Sequence, residues 1–456
     1  MWLLKKSFTG MLTTIPRSES TPPLYYICGW VWTQVFGTSE AGVRSFSAVV
    51  GTLTVPVVYA IGRALLSHRV GLIAAWITTV NPFLVWYSQE ARSYALLAFL
   101  GAISLLCAAR AQQTSTVRAL AAWATFATLA MGTHYFAFFL VAAEAVWLVT
   151  TARTRRSAVA LIALIVAAAG VLTPLAVFQA RVVSTAWIHN DFSFRLRSEW
   201  MFVQLLGIGR PAPWAGVATT SVHPAWIAAG AILLALCGIL LVTRAKPDER
   251  SRAALVGALG AATIGAPVLI AIFSSLFGRT ADFVLDRNLI HASIPVTIVV
   301  ASAMGARRAG RAGIAIAAIF CASSLSLTIV SASDSRFQRE DLRSLARLVS
   351  GPEKLVVVTP ARAARSLEVY APELTQARRH ARDVREIDVV TRGSANIDGI
   401  DLPSTFRPRV RKSFRSWLLT SYRSTRASAI GPEMFIRPAQ PGGSDVMVLE
   451  QRSARR

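Results

Sequence analysis

Apolar segments of membrane-spanning length constrain this chain more than any other feature. Ten stretches are long and apolar enough to cross a bilayer, or nearly so, because a crossing helix needs about 20 apolar residues. They lie at about residues 45–65, 70–87, 94–111, 118–132, 134–151, 158–178, 223–243, 254–277, 286–304 and 312–331. With 54% hydrophobic residues and a mean hydropathy of +0.48, the sequence predicts an α-helical polytopic membrane protein with about ten transmembrane helices.

The distribution of charge predicts the orientation of these helices. The formal charge of +24 would suggest nucleic acid in a soluble protein, but most basic residues here lie in short loops and in the tail, so we expect no nucleic-acid partner. One alternate set of five short loops carries thirteen Arg and Lys residues, whereas the short loops of the opposite set carry three. The positive-inside rule therefore predicts that the first set is cytoplasmic. The loop around Glu90 and the C-terminal tail are then predicted to face outward.

Three domains are predicted. Residues 1–44 form an outward juxtamembrane segment with an interfacial helix at 24–36, residues 45–331 form the transmembrane domain, and residues 332–456 form a small extracytoplasmic α/β domain. No apolar helix precedes residues 1–44 to carry them across the membrane, so one N-terminal span is expected to be missing from this chain. The four cysteines show neither metal-ligand nor disulfide spacing.

The motif SQEARSY, residues 88–94, follows the second apolar segment and carries the main candidate residues. Glu90 and Arg92 are placed at the membrane boundary, where lowered dielectric strengthens their interactions. An arginine suits phosphate because its planar fork donates two parallel hydrogen bonds. The alternative is an interfacial Glu–Arg anchor within a belt of Trp and Tyr, such as Trp86, Tyr87 and Tyr94.

Two further outward positions carry candidates. His134 and Tyr135 lie in the turn MGTHYF, where the histidine either contacts a phosphate or acceptor hydroxyl or is a hydrogen-bonded turn residue. Arg287, in DRNLIHAS, enters a later span from the same side. It either binds a phosphate or reaches toward lipid headgroups.

These motifs resemble those of a known family. The PPLYY segment, the pattern R-x-x-S-A-x-x-G-x-x-x-V-P-x-x-Y from Arg44 to Tyr59, NPFLVWYSQEARSYALL, THYFAFFL and DRNLIHASIP are similar to the polyprenyl-phosphate-sugar-dependent glycosyltransferases of the GT-C fold. That group includes protein O-mannosyltransferases, lipid A aminoarabinose transferases and actinobacterial relatives with an RgtA-like domain. The resemblance covers about residues 1–350, and the QEARSY block is its most specific part.

The resemblance implies an inverting glycosyltransferase with eleven transmembrane helices. It would move a mannose- or arabinose-type sugar from a polyprenyl-phosphate donor to an extracytoplasmic glycan, lipid or protein acceptor at the bilayer. It implies Glu90 as the catalytic acidic residue, Arg92 and Arg287 as binders of the donor phosphate, and Tyr94, His134 and Tyr135 as residues lining the acceptor side or groove. No cofactor is certain, although a divalent cation is compatible with the family.

One departure from the family pattern supports a different hypothesis. Family members carry an acidic motif ahead of the Pro-Pro segment, where this chain has Leu4, Lys5 and Lys6. Glu19 is the sole acidic residue ahead of Thr21, and no motif supports it as a substitute. The alternative function is therefore a catalytically degenerate family member that acts as a membrane scaffold or lipid-glycan binding protein.

Overall fold

The computed structural model describes most of the chain. The described residues are 2–151, 155–183, 188, 193–209, 222–277, 283–333, 342–351, 354–359, 361, 364–377, 382–392, 402–414, 417–431, 434–435 and 446–451. They form two compact units, one comprising residues 3–212 and 221–333 and the other chiefly residues 334–456. The first unit is helical and the second is α/β.

The helical unit contains fourteen α-helices among its described residues. Their bounds are α1 Phe8–Ser18, α2 Leu24–Phe36, α3 Glu40–Leu65, α4 His68–Val80, α5 Pro82–Ser88, α6 Tyr94–Thr114, α7 Val117–Thr133, α8 Ala137–Thr151, α9 Arg155–Val182, α10 Phe194–Leu205, α11 Pro224–Arg244, α12 Pro247–Leu276, α13 Ser293–Gly305 and α14 Gly310–Ser333. Short 3₁₀ helices cover Leu3–Lys5, Asp286–Ala292 and Arg307–Ala309.

Each predicted apolar segment overlaps one helix or two consecutive helices. Seven helical stretches are long and apolar enough to span a membrane, and α4 with α5 adds an eighth if the bent pair is one span. The remaining two segments correspond to α7, with 17 residues, and α8, with 15. The predicted class, a helical polytopic membrane protein with a small C-terminal α/β unit, is therefore confirmed, whereas the number of ten spans is not.

A break at Asn81 divides the segment that was predicted as one span at 70–87. Pro82 is the first residue of α5, and the Oδ1 atom of Asn81 accepts hydrogen bonds from the backbone N–H groups of Phe83 and Leu84. Proline at the first position and an asparagine cap both favour a new helix start. Because of this break, α4 and α5 meet at 58°. The direction of α5, and with it the position of the loop 89–93, is therefore set by the bend at Asn81.

The most buried spans form the centre of the unit. The spanning windows of α6 and of Asp286–Gly305 are each 83% buried, whereas that of α9 is 6% buried. Helices α3 and α4 approach closely at Gly62 and Gly71, where a Cβ on Gly71 would lie 2.7 Å from the carbonyl oxygen of Tyr59. Small residues at such contacts allow helices in a membrane to pack backbone against backbone.

A buried carboxyl group joins three helices. The Oε2 atom of Glu144 on α8 accepts hydrogen bonds from Ser104 Oγ on α6 at 2.5 Å and from Trp123 Nε1 on α7 at 2.8 Å. Glu144, Ser104 and Trp123 have no exposed surface. Because each donor would otherwise lack a partner in an apolar interior, this carboxyl group holds the three helices in register.

We expect Glu144→Leu to lower the thermal stability of the protein in detergent. The substitution leaves the donors of Ser104 and Trp123 unsatisfied, and each such group costs about 1–3 kcal/mol. Glu144→Gln is the matched control, since its amide oxygen still accepts both hydrogen bonds. Melting curves followed by tryptophan fluorescence measure the effect, and an unchanged melting temperature in Glu144→Leu would refute the role of this cluster.

The second unit is built on a six-stranded sheet. Its strands are β1 Lys354–Thr359, β2 Leu374–Gln376, β3 Arg382–Arg392, β4 Arg407–Phe414, β5 Trp417–Ile430 and β6 Met447–Gln451, in the order β2-β6-β1-β3-β5-β4. Strands β1 and β3 are parallel, and the other pairs are antiparallel. Two helices accompany the sheet, α15 Leu342–Val349 and α16 Ala364–Glu368. Two apolar cores include alternate residues of β1, with Val356 and Val358 in one and Leu355 and Val357 in the other.

Candidate active site

The loop between α5 and α6 carries the two charged residues of the SQEARSY motif. The backbone N–H of Glu90 donates to the carbonyl of Tyr87, and that of Arg92 donates to the carbonyl of Glu90 at 2.7 Å. This tight turn places Arg92 Nε 4.0 Å from Glu90 Oε1. The Arg92 side chain remains 55% exposed. A partly exposed ion pair at this distance adds little stability, so it leaves guanidinium donors available for another anion.

A second carboxylate approaches the same arginine. Glu19 follows α1, and its Oε2 atom lies 3.9 Å from Arg92 Nη1. The hydroxyl of Tyr26 on α2 donates to this same oxygen at 2.6 Å. Burial, followed by the charge of Glu19, raises the pKa of Tyr26 well above its ordinary value, so the phenol stays protonated and donates. Two carboxylates and one guanidinium therefore meet at one end of the helical unit.

A second arginine lies beside this group. The guanidinium carbon of Arg287 is 5.9 Å from the ring centroid of Tyr94, the first residue of α6. Arg287 is also within electrostatic range of Glu90 and Arg92. Arg197 on α10 binds the backbone just before the 3₁₀ helix of Arg287, because its Nη1 donates a hydrogen bond to the carbonyl of Val284 at 2.8 Å. Thus the late 3₁₀ helix Asp286–Ala292 contributes a cation to the same end of the unit.

Aromatic rings connect Tyr94 to His134. The Tyr94 ring centroid lies 5.0 Å from that of Tyr87 and 6.0 Å from that of His134. His134 ends α7, and its Nδ1 accepts a hydrogen bond from the backbone N–H of Phe136. Burial, followed by the charge of Arg287, lowers the pKa of His134 to about 3. The imidazole is therefore neutral at physiological pH with its proton on Nε2, and it acts as a hydrogen-bond donor rather than as a cation.

Tyr135 contacts a different partner. Its hydroxyl donates to Gln179 Oε1 on α9 at 2.8 Å. The Nε2 atom of Gln179 in turn donates to the carbonyl of Thr21 at 3.1 Å and lies 3.5 Å from that of Ile15. These two carbonyls flank Glu19 along the chain. Tyr135 therefore helps to fix the backbone on both sides of Glu19.

The structure thus brings together Glu90, Arg92, Tyr94, His134 and Arg287, and it connects Tyr135 to them through α9 and α1. Sequence reasoning did not assign Glu19, Tyr26 or Gln179 to this group. Tyr26 belongs to the PPLYY motif, and Glu19 was the sole acidic residue ahead of it, so the composition of this segment was the available signal. For Gln179 the sequence offered a weaker indication, namely a single amide side chain near the end of an otherwise apolar helix.

The described residues do not match a dedicated metal site. Among them, no three His, Cys, Asp or Glu side chains are grouped so as to hold a metal ion. The two carboxylates of the site are instead shared with the guanidinium of Arg92.

A comparison with protein families identifies the stretch that contains most of this site. Residues 20–178 match the family model described as dolichyl-phosphate-mannose-protein mannosyltransferase. This stretch is therefore similar to a glycosyltransferase family. The resemblance predicted from the motifs is confirmed over these residues. No curated protein matches the chain significantly.

Two solved structures are also similar to this chain. ArnT from Cupriavidus metallidurans in the apo state is 12% identical, with a TM-score of 0.39 over 88% of this chain and 87% of that one. The Archaeoglobus fulgidus oligosaccharyltransferase tethered with an acceptor peptide is 13% identical, with a TM-score of 0.44 over 77% of this chain and 55% of that one.

The buried, neutral state of His134 predicts a pH dependence of stability. Its folded-state pKa of about 3 lies below the ordinary value of 6.5, so the unfolded chain binds a proton that the folded chain does not between these values. The contribution of His134 to the free energy of unfolding is therefore fully present above pH 6.5 and is lost as the pH falls toward 3. We expect the melting temperature in detergent to decrease over this range in the wild type and to decrease less in His134→Gln.

His68→Gln is the control for this experiment. His68 is an exposed ring at the start of α4 that pairs with Tyr59. Its substitution should leave the wild-type pH dependence in place. Equal slopes in the wild type and in His134→Gln would show that His134 does not titrate as a buried neutral group.

Proposed function

We propose that this protein is a membrane glycosyltransferase that moves a sugar from a polyprenyl-phosphate donor to a hydroxyl group of an acceptor, with inversion. The observation that supports it best is the cluster of Arg92, Arg287, Glu90 and Glu19 at one end of the helical unit. Three of these four residues lie in or beside the family-matching stretch, at positions 19, 90 and 92. The name of the matched family specifies a lipid-phosphate mannose donor. The negatively charged phosphate of such a donor is a group that two arginines would bind.

Arg92 and Arg287 hold the donor phosphate in this proposal. When the bond between the anomeric carbon and the phosphate oxygen breaks, negative charge accumulates on the phosphate. Preorganised guanidinium groups stabilise that charge more than they stabilise the bound donor, which lowers the barrier. The stacking of Arg287 near Tyr94 and the turn at Arg92 fix where these cations lie.

Glu90 is the acidic residue of the proposed site. Its carboxylate orients Arg92 across the turn. It also places negative charge near the sugar ring, where positive charge develops in the transition state. Tyr94 and neutral His134 line the acceptor side, and the Nε2 proton of His134 suits a hydroxyl or ring oxygen. Tyr135 supports this side through Gln179.

The sidedness and the substrates belong to the same proposal. The excess of basic residues in the opposite loops supports an extracytoplasmic site and an extracytoplasmic C-terminal unit. The sugar is of the mannose or arabinose type, and the acceptor is an extracytoplasmic glycan, lipid or protein. A divalent cation remains compatible with the family but is not required by this account.

Glu90→Gln should reduce transfer by about 100-fold or more, because it removes a carboxylate from a site where charge develops. The assay uses protein in lipid nanodiscs, radiolabelled polyprenyl-phosphate mannose and arabinose as separate donors, and an envelope extract as acceptor. Glu40→Gln is the matched control, since Glu40 pairs with Arg44 at 2.6 Å on the first turn of α3. Equal rates in the two variants would remove Glu90 from the site.

Arg92→Gln and Arg287→Gln should each weaken binding of the donor phosphate and slow its release from the sugar. A lost charge-assisted hydrogen bond costs about 1.5–3 kcal/mol, so we expect a reduction in kcat/KM of about 10- to 100-fold. Arg44→Gln serves as the control. Donor binding by the wild type without turnover would instead favour a membrane scaffold that binds lipid-linked glycans, and absence of binding would count against both functions.

A further inference from the structure

Within this proposed function, we infer that Glu19 is the base that takes the proton of the acceptor hydroxyl. Transfer to a hydroxyl group requires a proton acceptor within hydrogen-bond reach of the attacking oxygen. In the described part of the chain, the carboxylates of Glu19 and Glu90 both lie beside Arg92.

The position of Glu19 is fixed from two directions. Tyr26 holds Oε2 through a hydrogen bond of 2.6 Å, while Gln179 binds the carbonyl of Thr21 and approaches that of Ile15. The backbone N–H of Glu19 also donates to the carbonyl of Ile15, which closes α1. A carboxylate that is held in this way presents its other oxygen, Oε1, in a defined direction. Such preorganisation is what a general base requires.

The surroundings of Glu19 also suit a base. Its side chain is 17% exposed, compared with 24% for Glu90, so Glu19 is the more shielded of the two. Arg92 lies 3.9 Å from Glu19 Oε2 and 4.0 Å from Glu90 Oε1. A phosphate held by Arg92 would therefore lie close to Glu19. Inversion places the attacking hydroxyl and the leaving phosphate on opposite faces of the anomeric carbon, so in this proposal the sugar lies between Glu19 Oε1 and the phosphate.

The proposed glycosyl transfer needs no reactant besides the donor and the acceptor. The acceptor oxygen forms a bond to the anomeric carbon, and the bond from that carbon to the phosphate oxygen breaks with its electron pair remaining on the phosphate. The hydroxyl proton passes to Glu19 Oε1. Arg92 and Arg287 hold the released polyprenyl phosphate, and the protonated Glu19 returns its proton to solvent.

A purely structural role for Glu19 makes a different prediction. If Glu19 only anchors Tyr26, then Glu19→Gln should retain activity, because the amide oxygen still accepts the hydrogen bond of the phenol. If Glu19 is the base, the same substitution removes the proton acceptor while preserving shape and the contact with Tyr26. Glu19→Gln therefore separates the two roles with a near-isosteric change.

The test measures transfer by the full chain in nanodiscs, with the same two radiolabelled donors and envelope extract. We expect Glu19→Gln to lower kcat by about 10²–10⁴-fold with little change in the KM for the donor. Glu19→Asp should retain part of the rate, and Glu40→Gln should retain all of it. Binding of polyprenyl phosphate to each variant verifies that the fold is intact.

A second variant probes the base through its hydrogen-bond donor. Tyr26→Phe removes the hydrogen bond that holds Glu19 Oε2, so the carboxylate is no longer fixed in direction. We expect kcat to fall by about 10-fold in Tyr26→Phe while the KM for the donor and the binding of polyprenyl phosphate stay unchanged. An unchanged kcat would contradict the assignment.

The outcomes distinguish this inference from the proposed function. A Glu19→Gln rate within threefold of the wild type, together with loss of transfer in Glu90→Gln, would overturn the role of Glu19 and leave the glycosyltransferase proposal standing. Absence of transfer by the wild type would overturn both. Loss of transfer in Glu19→Gln with intact lipid-phosphate binding and an active Glu40→Gln would support both.

Discussion

The balance of charge around Arg92 is the interaction on which the candidate site depends. A guanidinium at the end of a membrane helix is costly unless anions or water accompany it. Here Glu90 approaches it from the same turn, and Glu19 approaches it from the N-terminal segment. These long contacts add little stability by themselves. The short hydrogen bond from Tyr26 keeps Glu19 beside Arg92, whose side chain stays accessible.

The helices were predictable because the bilayer imposes a length and a composition on each of them. Each apolar segment overlapped one helix or two consecutive helices. The bend at Asn81 was not predicted, although Asn-Pro is a visible helix-start signal. In the second unit, the β-branched run at 355–359 became β1, and the segments VREIDVV and VMVLE became parts of β3 and β6. The Arg-rich stretch 407–426 contributes to β4 and β5, whose pairing with each other and with β3 is a tertiary property that local composition does not specify.

The candidate site was predictable where its residues are close in sequence. Glu90, Arg92 and Tyr94 share one motif, so their proximity followed from spacing. The contact of Arg92 with Glu19 depends on how α1 packs, and no periodicity encodes it. The charge state of His134 also depends on tertiary structure, since burial and Arg287 together keep its ring neutral. The direction of Tyr135 is set by Gln179 on α9, which the turn sequence alone does not indicate.

Helix α9 has an unusual position in this arrangement. Its spanning window is almost entirely on the outside of the helical unit, yet Gln179 near its end is buried and is bound to the backbone on both sides of Glu19. A lipid-facing helix adjusts its tilt to the thickness of the surrounding hydrocarbon. A change in tilt of α9 would displace Gln179 and, with it, the segment that carries Glu19. The position of Glu19 relative to Arg92 would then depend on the thickness of the bilayer.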